Sequence, residues 1–251
     1  MSSAYVPGLE GVVAAQTAIS LVDGANGRLV YRGYVIADLA EEMSFEEVAH
    51  LLWYGRLPTR AELDAVTLEL AGSRSLSPAA AATLKALPKD SDPMDVLRSV
   101  VSVQGVEHRL SKPTIPLAIH ANASFPTILA GFGHRVYRTY DPRAKILKEM
   151  AKTAAPELYK TAEKTEEVAL RILHEAHPER PNATNVDFWA AVVLTGVGIP
   201  KDLFTCIFAA SRVAGWTAHV LESLADLRII RPASVWKGPQ PGTKPLPLAS
   251  R

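Results

Sequence analysis

Only one cysteine, Cys206, occurs among 251 residues. That excludes an internal disulfide and a cysteine-built zinc site, and it fits a reducing, cytoplasmic setting. Net charge is almost absent too: 27 Lys and Arg stand against 26 Asp and Glu, a formal +1. No overall field therefore draws the chain to nucleic acid or to an anionic membrane, although a local cationic pocket remains compatible with this balance. The N-terminal residues lack a basic region followed by an apolar stretch, so no signal peptide is expected. The longest run without a formal charge is 113–134, long enough to raise the question of a membrane span. Pro113, Pro116, His120, Asn122 and Pro126 inside it argue against a spanning helix. Internal repeats are missing, and no His, Asp and Glu set has ligand spacing, so no metal is implied.

What is present reads as an ordinary globule of one or two domains, at roughly 150 residues per domain, with 48% hydrophobic and 21% charged residues. Two short apolar runs, Ser20-Leu21-Val22 and Arg28-Leu29-Val30-Tyr31, flank Asp23-Gly24-Ala25-Asn26-Gly27. The Asp-Gly and Asn-Gly pairs supply residues that tolerate positive φ, so a hairpin is expected. Beyond it the pattern turns helical. Ser44…Glu47 and Thr59…Glu62 are capping boxes, while Ser77-Pro78, Asp92-Pro93 and Asp141-Pro142 each place a cap before a proline at the first helical position. Further helical patterns run over 165–174, 185–194 and 202–224. Gly215 leaves the last as two helices or as one with a close packing contact. About eight helical segments, one hairpin and no βαβ alternation make the fold mostly α. The Pro- and Gly-rich stretch after Trp236 reads as an extended arm.

The most unusual stretch is 131–143, Gly-Phe-Gly-His-Arg-Val-Tyr-Arg-Thr-Tyr-Asp-Pro-Arg. Two glycines imply close backbone approach; a histidine, dense arginines and a helix start follow. Planar guanidinium forks suit carboxylate or phosphate, and a helix N-terminus adds positive potential. The residues alone leave two readings, an anion site or a solvated basic loop. The second candidate, Asp187, sits in the apolar run 185–194. It is either a carboxylate tuned as a general base or a first-turn acid that complements the helix dipole. Arg212, among Phe208, Ala209, Ala210, Val213 and Ala214, is expected to be paired or to bind an anion. Arg231, after Ile229-Ile230, is a fourth candidate. His50, His174, His177 and His219 fall on helical patterns or a helix end and read as packing or partly exposed residues, and His108 and His120 are left without a role by the pattern alone.

Together, 131–143, Ala183-Thr184-Asn185-Val186-Asp187-Phe188, the 211–219 run Ser-Arg-Val-Ala-Gly-Trp-Thr-Ala-His and Ile230-Arg231-Pro232 resemble citrate synthase. The N-terminal motifs Val22-Asp23-Gly24, Tyr31-Arg32-Gly33-Tyr34 and Asp92-Pro93-Met94-Asp95 agree, and the likeness covers about 8–104 and 131–235 and resembles the shorter bacterial and archaeal type. The resemblance implies a multi-helical two-domain homodimer that joins acetyl-CoA to oxaloacetate and releases citrate and coenzyme A, with no permanently bound cofactor. It implies 1–104 as the N-terminal part of a large domain, 131–210 as a small mobile domain and 211–251 as a return to the large one. By motif position His134 would polarise the oxaloacetate carbonyl and Asp187 would take the acetyl proton. Arg143 and Arg212 would hold the substrate carboxylates, Arg231 would do so from the partner chain, and Arg138 would face a coenzyme A phosphate.

The resemblance also implies a long helical stretch that only 106–130 replace here, as a shortened connection. Ile119-His120-Ala121-Asn122-Ala123-Ser124 looks like a relic of one missing signature, which would make His120 an oxaloacetate contact. The other, a histidine followed by two glycines that donates to the forming enol, has no counterpart: no histidine in this chain precedes a glycine. Loss of one such donor costs on the order of 2.7–4 kcal/mol of transition-state stabilisation. Three accounts fit: central residues omitted from a longer chain, a relative with a real internal deletion, or an enzyme that recruits His120 as donor. An intact mass above 27.1 kDa would select the first. Use of propionyl-CoA to make 2-methylcitrate, and a relative that binds dicarboxylate or coenzyme A with impaired turnover, are the alternatives.

Overall fold

The structure is a computed structural model that describes residues 12–13, 15–107, 131–134 and 136–225. The expected hairpin forms, with β1 (Ser20–Asp23) antiparallel to β2 (Arg28–Tyr31) and Leu21 opposite Val30. A third strand, β3 (Tyr34–Val35), extends it to the order β1-β2-β3. Its two-residue turn, Arg32-Gly33, takes φ of 48° and 95°. Positive φ at both positions is what a tight hairpin turn of matching twist demands. Arg32 is unusual there because a Cβ is disfavoured at positive φ. The arginine is tied down by its backbone N–H to Ile19 O (2.8 Å) and by Nη2 to Leu52 O (2.9 Å).

Nine α-helices follow among the described residues. The first five are α1 (Ile36–Glu42), α2 (Phe45–Tyr54), α3 (Arg60–Gly72), α4 (Pro78–Ala86) and α5 (Pro93–Glu107). The remaining four are α6 (Pro142–Ala154), α7 (Pro156–Ala176), α8 (Val186–Gly196) and α9 (Phe204–Ala225), the last preceded by a 3-10 turn at Lys201–Leu203. Both capping boxes close as the spacing predicts, with the Ser44 and Thr59 side chains accepting from the third helical N–H and the glutamates reaching back. Asp92 and Asp141 cap the proline-led starts of α5 and α6. The extra helix, α1, begins at Val35 without a side-chain cap, so no start signal marked it. The 202–224 pattern resolves as one continuous helix. Gly215 has open space around it and marks neither a break nor a close contact.

Two buried clusters organise the molecule. The first joins Ile19, Ala49 and Leu52 to Ala214 and Ala218, so the hairpin and α2 pack on the second half of α9. Trp53 fastens that seam by donating from its indole to Thr217 Oγ1 (2.8 Å) and Ala214 O (3.2 Å). The second cluster, Ala144, Ala151, Ala162, Trp189 and Val193, is built from α6, α7 and α8 alone. A buried charge lies within it: Glu166, 4% exposed, accepts from Tyr140 (2.8 Å), from the Trp189 indole (2.9 Å) and from Lys148 (2.9 Å). Desolvation alone would raise the Glu166 pKa, but these bonds, led by Lys148, hold it below the ordinary value.

Among the described residues no helix is long and apolar enough to cross a membrane.

Candidate functional site

The 131–143 stretch runs from a short bridge into the N-terminus of α6. Phe132 pairs with Thr184; Gly133 donates to Ala183 O (2.7 Å) and Asn185 to Gly131 O (3.0 Å). This ladder sets the His134 loop beside the start of α8, 50 residues later in the chain, and so beside Asp187. The glycines serve two different ends. A Cβ on Gly131 would come within 2.8 Å of Phe188 Cβ, whereas Gly133 adopts φ of 80°. Asn185 ties the parts together, accepting from the Asp187 N–H (2.9 Å) and donating from Nδ2 to Gly133 O (3.0 Å).

The hydrogen bonds of His134 fix its chemistry. Its Nδ1 accepts from the N–H groups of both Val136 and Tyr137, each at 3.0 Å. A ring nitrogen that accepts carries no proton, so the neutral ring bears its proton on Nε2. Burial pushes the imidazole below its ordinary pKa and Arg143 adds to this, against the opposing pull of Asp141 and Asp187. The ring rests on Tyr137, centroids 4.6 Å apart.

Arg143 stands next to it. Asp141, 1% exposed, takes both Nε (3.0 Å) and Nη2 (2.7 Å) of the guanidinium while also capping α6. That pairing uses one edge of the fork; a second edge, formed by Nη1 and the other Nη2 proton, meets no hydrogen-bond partner among the described residues and has the shape to meet a carboxylate. The Arg143 Nη2 lies 3.5 Å from His134 Nε2. Both are donors once the tautomer is fixed, so they cannot bond each other, and both can serve an oxygen-rich ligand set between them. Asp187 opens α8 and reaches solvent. Partial desolvation still pushes its pKa up, with Arg143 and Arg212 pulling down and Asp141 pushing up again.

The structure therefore brings His134, Arg143 and Asp187 together. Arg212, expected to be paired or to bind an anion, lies on the exposed side of α9. It is exposed, because α9 buries Ala209, Ala214 and Ala218 and turns position 212 away from that face. No ion pair holds it among the described residues; its guanidinium lies over the Phe208 ring at 5.6 Å and its charge still reaches Asp187. Arg138 is exposed, and its backbone N–H bonds to Gly24 O (2.9 Å). His120 and Arg231 lie outside the described residues. Sequence reasoning took Asp141 for a helix cap and assigned nothing to Tyr137 or Asn185. A carboxylate two residues before a candidate arginine was the available signal for Asp141; for Tyr137 none existed.

A neutral imidazole N–H and a braced guanidinium, with a nearby carboxylate of raised pKa, are groups chemically able to bind an anion and to move a proton. Comparison with known proteins makes the class specific: the family model for the citrate synthase C-terminal domain matches residues 8–130 and 111–233, and the chain belongs to the citrate synthase family, whose members are acyltransferases. Citrate synthase of Haloferax volcanii is 30% identical over 372 residues, spanning 95% of this chain and 97% of the relative. A 2-methylcitrate synthase of Shewanella oneidensis is 29% identical over 373 residues, spanning 97% of each. The crystal structure of citrate synthase from Thermotoga maritima superposes with a TM-score of 0.80 at 26% identity, covering 97% of this chain and 98% of that one. The Haloferax alignment of 372 positions exceeds the 251 residues of this chain by 121, so at least that many positions face a gap here. The chain is shorter than these relatives, as an internal deletion would make it.

Proposed function

We propose that the chain is a citrate synthase that condenses acetyl-CoA with oxaloacetate to citrate and coenzyme A. The observation that carries this is the pair of donors, His134 Nε2 and Arg143 Nη2, 3.5 Å apart beside Asp187. The free edge of Arg143 holds one oxaloacetate carboxylate and Arg212 another, so the keto oxygen is presented to His134 Nε2–H. Asp187 removes a proton from the acetyl methyl group. The enolate carbon then attacks the polarised keto carbon, the new alkoxide takes the His134 Nε2 proton, and the proton held by Asp187 returns to the ring through solvent. Water cleaves the resulting thioester and releases citrate and coenzyme A. The raised pKa of Asp187 suits a base for a very weak carbon acid, since its protonated form lies closer in energy. Arg138, exposed and cationic, is assigned to a coenzyme A phosphate. His120 is assigned to oxaloacetate, and Arg231 to the same ligand across a homodimer interface. Residues 1–104 and 211–251 form the large domain and 131–210 the small one. The two buried clusters support that division, because Ala214 and Ala218 pack with the N-terminal elements.

Free thiol released from acetyl-CoA only when oxaloacetate is present tests the proposal, and Asp187→Asn should lower the rate by roughly 10²–10⁴-fold. Running propionyl-CoA alongside decides between citrate and 2-methylcitrate, since one methylene gives only about 1–3 kcal/mol of discrimination. Absence of thiol release with both would overturn the catalytic reading. One observation favours a second reading, dicarboxylate binding without turnover: no histidine precedes a glycine, so the usual enol donor has no counterpart. That reading expects oxaloacetate to stabilise the fold by about 2.7 kcal/mol at a hundred times its Kd, with no thiol released.

A further inference from the structure

The hairpin turn between β1 and β2 reaches across to the His134 loop. Gly24 O accepts from the Arg138 N–H at 2.9 Å. A Cβ on Gly24 would lie 2.7 Å from Val136 C and closer still to the Val136 carbonyl oxygen. Gly24 has no positive φ, so space and not backbone conformation demands glycine there. At the other end of the turn a Cβ on Gly27 would come within 2.5 Å of Thr139 Oγ1. The Val136 carbonyl belongs to the same peptide unit as the Tyr137 N–H. In a trans peptide the two groups point in opposite directions, and no cis bond occurs among the described residues. The carbonyl therefore faces Gly24 while the N–H faces His134 Nδ1 at 3.0 Å.

We propose that Gly24 is a positioning residue for His134: by seating the Val136–Tyr137 peptide plane, the hairpin turn keeps the Tyr137 N–H on Nδ1 and so, together with the Val136 N–H, keeps the proton of the imidazole on Nε2. The functional consequence rests on the reading of His134 as the carbonyl donor, but the positioning itself does not need a substrate. A methyl at position 24 meets rigid backbone, so the peptide must tilt and the N–H bond to Nδ1 must lengthen. Among the described residues, the groups facing His134 are Asp141, Arg143, Asp187 and Tyr137. None of them is on the hairpin, so a substitution at Gly24 alters no charge around the ring.

Nitrogen NMR of the full chain with labelled histidine, His134 being assigned through His134→Gln, reads tautomer and titration midpoint directly. In the parent Nδ1 is the unprotonated nitrogen. Gly24→Ala should mix the tautomers and raise the midpoint by about one pH unit. Gly72→Ala, at a position with open space around it, should leave both unchanged. A folded Gly24→Ala protein with the parental tautomer and midpoint overturns the proposal. Should Gly24→Ala fail to fold, Gly27→Asn is read instead. Asn tolerates the left-handed φ of 61°, so the crowding falls on the Thr139 side chain. A smaller shift in the same direction, reversed by adding Thr139→Ala, is expected; no shift overturns the proposal. Failure of thiol release in the parent would count against the catalytic reading alone, because this readout needs no turnover.

Discussion

The two buried clusters are built in opposite ways. The α6–α7–α8 cluster draws every member from a contiguous stretch between Ala144 and Val193 and encloses the Glu166 charge network. The hairpin–α2–α9 cluster is purely apolar and joins residues near positions 19 and 50 to residues near 214. Loop closure makes distant contacts entropically harder to form, so the α6–α7–α8 cluster is the more autonomous unit. His134, Asp141, Arg143 and Asp187 all belong to that contiguous part or to the loop leading into it. The gap relative to longer relatives falls, by motif resemblance, between Gly105 and Gly131, before this part begins. His134, Arg143 and Asp187 lie beyond that gap and are present here, while the enol-donating histidine that the resemblance implies has no counterpart.

The largest test of this contrast is Trp189→Ala. Trp189 is 0% exposed and also donates to Glu166, so its loss should cost about 3–5 kcal/mol. Hydrogen exchange should show the damage concentrated in α6–α8; equal loss of protection in α2 and α9 would break the distinction. Glu166→Gln sharpens it further. The folded Glu166 pKa is depressed, so its stabilisation is present above the ordinary glutamate value of about 4.3 and is lost as pH falls through the lower folded value. Urea titrations should show a parent–variant difference of about 1.5–3 kcal/mol near pH 7 that narrows below pH 4. A pH-independent difference would mean that the Lys148 pairing contributes little. Trp53→Phe keeps the ring and removes the two indole bonds across the α2–α9 seam, for about 1 kcal/mol felt only in the first cluster. Ser44→Ala removes one cap of α2 and should cost a similar or slightly smaller amount; loss of protection in α7 from either change would contradict the separation of the two clusters.

Helix starts were legible wherever a side chain announces them. Ser44, Thr59, Ser77, Asp92 and Asp141 all cap as their spacing predicts. α1 was not legible, because Val35 offers no cap, and neither was the full length of α7, whose N-terminal boundary Ala155 also lacks one. Within the site, His134, Arg143 and Asp187 were readable from residue type and motif. The bracing of Arg143 by Asp141 and the stacking of His134 on Tyr137 were not, since they depend on rotamers and loop path.

By itself, then, the chain's order of residues determined the family, the local helices and the set of charged groups available for chemistry, because caps, turns and motif loops act over three to thirteen residues. Tertiary structure alone decided that Phe132 pairs with Thr184, that Arg212 faces outward, and that a glycine in an N-terminal hairpin meets the peptide supporting His134. Those contacts join segments 50 to more than 100 residues apart, and which surfaces meet at such separations is set by packing, on which local residue preferences carry no information.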